Sequence, residues 1–215
     1  PEDNILIGNS AGDDITTGDG NILLGKSSGD GLTGGDFNSY IGYEAGFAAG
    51  GDHNIGIGRR AGENDNSGYC ISVGYYAGTR VTGTSNICIG ASSGGTSSGY
   101  NTGQKNIFIG SNIQEYQGTS QSNNVIIGND AYRGLSNDLA SGSNNIILGF
   151  EANPSANNVS NEITLGNSSI TKFRIPGIGV SFSNGGGVTT GIMTASAFKL
   201  LDGTAVGGVV SVSYT

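Results

Sequence analysis

The sequence predicts an all-β protein: a parallel β-roll, or β-solenoid, of about ten rungs over residues 1–170, followed by a small β-rich module over 171–215. The main observation is a recurring five-residue unit. Clean copies are Asn4-Ile5-Leu6-Ile7-Gly8, Asn21-Ile22-Leu23-Leu24-Gly25, Asn86-Ile87-Cys88-Ile89-Gly90, Asn106-Ile107-Phe108-Ile109-Gly110, Asn124-Val125-Ile126-Ile127-Gly128 and Asn145-Ile146-Ile147-Leu148-Gly149. Looser copies end at Gly42, Gly58, Gly74 and Gly166. The gaps between successive glycines are 17, 17, 16, 16, 16, 20, 18, 21 and 17 residues. A period of this size marks a solenoid, in which each repeat buries its apolar face only against its neighbours.

Within the unit, the residue after the Asn and the residue before the Gly lie two apart and share one face of a strand. The first of these columns holds Ile5, Ile22, Ile55, Ile71, Ile87, Ile107, Val125, Ile146 and Ile163, with Ser39 as the exception. The second holds Ile7, Leu24, Ile41, Ile57, Val73, Ile89, Ile109, Ile127, Leu148 and Leu165. β-branched side chains suit a pleated, packed surface, so these columns are expected to form the solenoid core. The middle residue then faces out. Leu6, Leu23, Tyr40, Phe108, Ile126 and Ile147 would form an exposed apolar stripe, together with Gly56, Ser72, Cys88 and Thr164. An exposed stripe implies a partner, and identical stripes meeting about a rotation axis make a homotrimer interface.

Three residues after each repeat Gly comes a small residue, as in Ala11, Ser28, Ala45, Ala61, Ala77 and Ser93, with Ile113 as the exception. This predicts a narrow interior and a second short strand starting there in each rung. The Asn column reads as structural, since Asn bonds turn backbone and stacked amides bond between rungs.

Composition limits the function. A net charge of −8 disfavours nucleic acid or an anionic membrane as partner. No apolar run is long enough to span a bilayer as a helix, so no membrane insertion is expected. The 41 glycines lack a triplet period, which removes collagen. The chain opens on Pro1 rather than Met, which reads as a piece of something longer. Cys70 and Cys88 lie in adjacent repeats, two columns apart, and are expected to be free buried thiols.

Little points to catalysis. His53 is the only histidine and sits in a turn, so a His-based triad or zinc site would have one ring to work with. Acidic residues such as Asp13, Asp36 and Asp52 lie in turns and do not follow a calcium-binding nonapeptide. No enzyme activity, cofactor or metal is expected. The residues after the repeat glycines include Lys26, Tyr43, Arg59 and Tyr75, a spacing that suits a cation–π ladder. Two repeats carry insertions, Gly94 to Lys105 and Asn129 to Asn144. Any receptor contact is expected from Tyr100, Tyr132 and Arg133 there, and from Tyr116 between them, since Tyr and Arg suit recognition.

The segment 54–62, Asn-Ile-Gly-Ile-Gly-Arg-Arg-Ala-Gly, resembles the head repeats of trimeric autotransporter adhesins of the YadA kind. That resemblance implies a left-handed parallel β-roll with three chains to a stalk, although the repeat here is longer and less regular. The segment 161–177, Asn-Glu-Ile-Thr-Leu-Gly through Phe-Arg-Ile-Pro-Gly, resembles the end of the repeat region in tail-fibre-like proteins of marine and cyanobacterial phages. Together these imply a structural, adhesive segment of a bacteriophage tail fibre that takes part in host attachment. Its partners would be other fibre or virion proteins and a host surface glycan or protein, with no nucleic acid. Its place would be the virion or a cell surface. A bacterial trimeric adhesin head and a polysaccharide-degrading tailspike are the alternatives. After Thr171 the period is lost. Phe173 to Gly177 is expected to close the last rung, with further strand-like stretches at 178–182 and 207–214.

Overall fold

The computed structural model describes residues 1–95, 99–113, 120–132, 141–156, 158–175, 180–183 and 187–190. The chain divides into two compact units, Pro1–Asn167 and Ser168–Thr215, so the boundary falls a few residues before the expected one. The first unit is a β-solenoid. Its strands are β1 (Ile5–Ile7), β2 (Ile22–Leu24), β3 (Ser39–Ile41), β4 (Ile55–Ile57), β5 (Ile71–Val73), β6 (Ile87–Ile89), β7 (Ile107–Ile109), β8 (Val125–Ile127), β9 (Ile146–Leu148) and β10 (Ile163–Leu165). All ten form one sheet in chain order. Each pairs in parallel with the next, column on column, as in Ile107↔Val125, Phe108↔Ile126 and Ile109↔Ile127.

Inside and outside are the reverse of the expectation. The middle column is the core: Leu23, Tyr40, Cys88, Phe108, Ile126 and Ile147 are all at most 1% exposed. Of the six residues expected to form the outward stripe, only Leu6 is exposed, because no described rung covers it on its N-terminal side. The columns expected inside lie on the opposite face. Ile5, Ile7, Ile22, Ile55, Ile57, Ile89, Ile127, Ile146, Leu148, Ile163 and Leu165 are exposed, and Leu24, Ile87, Ile107 and Ile109 are half-buried. The reason is the narrowness of the rung. Across from the strand stand Ala45, Ala61, Ala77, Ala131 and Ala152, all fully buried, which leaves room for one larger side chain per rung. Sizes compensate along the axis: the Tyr40 ring occupies the space beside Gly56, where an added Cβ would meet it at 2.6 Å. Buried Ser28 and Ser93 keep the small column satisfied by donating to the Tyr40 and Phe108 carbonyls at 2.8 and 3.0 Å.

The Asn column shares the inward face with the middle residue and forms a side-chain ladder. Backbone N–H groups of Asn21, Asn38 and Asn54 donate to Oδ1 of Asn4, Asn21 and Asn38, each at 2.8 Å. The series continues through Asn106, Asn124, Asn145 and Glu162. Each Nδ2 donates to a carbonyl of the returning turn, as Asn21 does to Gly35 at 2.8 Å and Asn106 to Gln121 at 2.9 Å. Buried amides are tolerable only when so satisfied.

Among the described residues, the expected second strand per rung is not there. Two residues after the first nine repeat glycines the backbone turns left-handed, as at Ser10 (φ 54°), Glu44 (φ 53°) and Asp130 (φ 54°), which ends extended structure. The return path runs through turns that bond to their equivalents in the next rung, such as Gly12 N to Ser28 O at 2.9 Å. Of the stretch Phe173 to Gly177, expected to close the last rung, Pro176 and Gly177 lie outside the described residues. Strand β11 (Lys172–Ile175) belongs to a separate antiparallel sheet with β12 (Val180–Ser183) and β13 (Gly187–Thr190). Phe173 pairs with Phe182 in it. Gly187 starts β13. The strand-like stretch at 207–214 lies outside the described residues.

Candidate interaction face

The two aliphatic columns make the outer surface of the parallel sheet. Ten rungs at about 4.8 Å extend the face over roughly 43 Å. Stacking covers part of each side chain: Ile7 in the first rung is 64% exposed, Ile57 in the fourth 41%. Nothing else in the described chain covers them. Single exposed aliphatics are ordinary on a protein surface, whereas a double row interrupted only at Ser39 is a large apolar surface.

Aromatic and charged ladders border this face. After the strands, the Lys26 Nζ lies 5.9 Å from the centre of the Tyr43 ring, and the Arg59 guanidinium lies 5.5 Å from both Tyr43 and Tyr75. The cation–π ladder expected from spacing is therefore present. Before the strands stands a second stack that the sequence reading missed. Phe37, His53 and Tyr69 lie with ring centres 5.2 and 5.1 Å apart and planes 11° and 19° from parallel. The signal was available, since each is the residue preceding the Asn column. Their faces are used on one another, so the stack offers ring edges rather than faces to a ligand.

The four expected receptor residues do not form a described cluster. Tyr100 is exposed beside a fixed point, because Asn101 bridges to Val81 and is buried. Tyr132 packs half-buried against the apolar core, and burial pushes its hydroxyl up to about 12. Tyr116 and Arg133 lie outside the described residues.

One group of titratable side chains is internal. At the fourth rung Gly56 leaves the core thin, and Asp65 is buried there, 1% exposed. It accepts hydrogen bonds from the Ser67 backbone N–H at 2.9 Å and from the Ser67 hydroxyl. The Ser67 Oγ lies 3.1 Å from the Cys70 Sγ. Cys70 interrupts the Asn ladder, its sulfur taking the Asn86 N–H at 3.4 Å. Burial, then the Asp65 charge, pushes the Cys70 thiol up to about 11. Burial also raises Cys88 well above an ordinary thiol. Both are free thiols, and a raised thiol is the opposite of an activated nucleophile. Acid, hydroxyl and thiol are here packing elements.

Burial pushes Asp65 up to about 6 from 3.8, against the Ser67 hydrogen bonds. An acid raised on folding stabilises the fold fully below the unfolded value and loses that contribution as pH rises to the folded one. Stability should therefore fall between pH 3.8 and about 6 and stay lower above it. Asp65→Asn should remove this slope and gain on the order of 3 kcal/mol at pH 8. Melting temperatures of the two proteins across pH 3 to 8 measure it; parallel curves would sink it.

No family model, no curated protein and no solved structure matches this chain.

Proposed function

We propose that this chain is a self-associating, non-catalytic segment of a trimeric fibre, a bacteriophage tail fibre that takes part in host attachment. The outward double row of aliphatics supports the reading. It runs the length of a solenoid whose own core is already filled by the middle column. Three such faces turned toward a common axis bury the rows against one another, and each aliphatic so covered contributes about 1 kcal/mol or more. A straight stack of near-identical rungs also suits a load-carrying spacer. The fibre's other partners would be virion proteins at one end and a host glycan or protein at the other.

The double substitution Ile57→Asp and Ile89→Asp tests the assembly. Wild-type chain should show three times the chain mass by light scattering, and the variant one, with the β-rich circular dichroism unchanged. A folded monomeric wild type would end the reading. Antibodies raised against the chain should then label the fibres of intact phage particles. Labelling of a bacterial surface instead would favour the adhesin-head alternative.

A further inference from the structure

The two flanks of the outward face carry opposite charges on rungs two and four. Before the strands, Asp19, Asp36 and Asp52 stack on consecutive rungs. Asp36 and Asp52 each hold one carboxylate oxygen on the preceding rung's N–H, at 2.9 Å. That ordering leaves the second oxygen of each for another partner. After the strands stand Lys26, Tyr43, Arg59 and Tyr75, on rungs two to five. The rings hold Arg59 in place, 5.5 Å from each. Among the described residues neither Lys26 nor Arg59 closes an ion pair, whereas neighbouring Arg60 does, with Glu44 and Glu63.

These cations and carboxylates cannot meet within one rung. Asp52 and Arg59 flank β4 at its opposite ends, beyond left-handed His53 on one side and Gly58 on the other, at most roughly 20 Å apart. Symmetry brings them together between copies. About an axis parallel to the stack, the end of each strand in one copy faces the start of the equivalent strand in the next, at the same height. Rung two then sets Lys26 against Asp19, and rung four sets Arg59 against Asp52. Rungs three and five set Tyr43 against Phe37 and Tyr75 against Tyr69. From the sixth rung the same flank carries Ala91, Ser111 and Asn129, without charge.

We propose that Lys26 and Arg59 of one copy pair with Asp19 and Asp52 of the next, forming an in-register seam at one end of the solenoid. The seam rests on the self-association reading above and adds what that reading lacks. Aliphatic rows can slide past one another by a rung at little cost, while the seam makes one height the favoured one.

Cysteine cross-linking tests it on the full chain. Asp52→Cys with Arg59→Cys should give covalent trimers under mild oxidation, since Lys26 and Asp19 still hold the register and Cys70 and Cys88 are buried. Asp52→Cys with Ala91→Cys is two rungs out of step, about 10 Å, leaves Lys26 and Asp19 in place, and should stay uncross-linked. Charge reversal gives a second readout. Lys26→Asp with Arg59→Asp should weaken association at least about tenfold, some 1.4 kcal/mol. Adding Asp19→Lys and Asp52→Lys should restore it. An oligomeric wild type that fails to cross-link at 52 and 59, cross-links equally in the staggered pair, or is not restored by the fourfold swap overturns the seam and leaves self-association standing. A monomeric wild type overturns both.

Discussion

Ile126→Asp should leave the chain without its folded solenoid. Ile126 is fully buried, registered between Phe108 and Ile147. The substitution removes the burial of a large aliphatic and places a carboxylate where only apolar side chains stand. The cost is on the order of 5 kcal/mol or more, comparable to the whole stability of a domain. The informative control is one residue away. Ile127 points out of the same strand, so Ile127→Asp should keep a cooperative melting transition by far-ultraviolet circular dichroism. If the two variants melted alike, the assignment of inside and outside would be wrong.

Gly90→Ala should be nearly as damaging, though it adds only a methyl group. Gly90 sits at φ 126°, outside the range L residues favour, and its added Cβ would lie 2.3 Å from the Gly110 carbonyl oxygen. The obstacle is backbone, which has nowhere to move without opening the ladder. Strain and clash together should cost about 3 kcal/mol or more. Gly62→Ala separates the two contributions. There φ is 68°, and the nearest atom is Cε1 of Tyr40 at 3.4 Å, so only the left-handed cost of about 1–2 kcal/mol applies. Thermal melts of both variants should rank them in that order.

The places of the strands were legible in the sequence because glycine and asparagine punctuate every rung: β6 and β9 fall where the spacing of Gly74, Gly90, Gly128 and Gly149 sets them. Which face turns inward was not. Alternation sorts residues into two faces but does not say which one is covered, and two full aliphatic columns outvoted one mixed column. The decisive clue was Asn21, two residues before Leu23 and therefore on its face. A polar residue is normally taken as outward, and only the carbonyl waiting at Gly35 makes it an inward one. The missing second strand has a similar cause. Left-handed Glu44 and Tyr76 carry no glycine to announce their backbone, because their N–H groups are held by carbonyls of the preceding rung, those of Lys26 and Arg59. The aliphatic rows were expected to be the core, and they lie instead on the outer face. The charges proposed to form a flanking seam were not legible as a set, because Asp19, Lys26, Asp52 and Arg59 come together only once the rungs are stacked.

The asparagine ladder gives the solenoid a direction of growth. In every amide link the later rung donates its N–H and the earlier rung supplies the side-chain oxygen. A finished rung therefore presents an acceptor on the side where the next will lie, already fixed by its Nδ2 bond to the turn. A chain leaving the ribosome from its N-terminus meets this template in the right order. Each new coil closes on the one before it, without waiting for distant sequence. Winding from the opposite end would present only backbone N–H groups, and each arriving rung would have to bring and orient the amide that meets them.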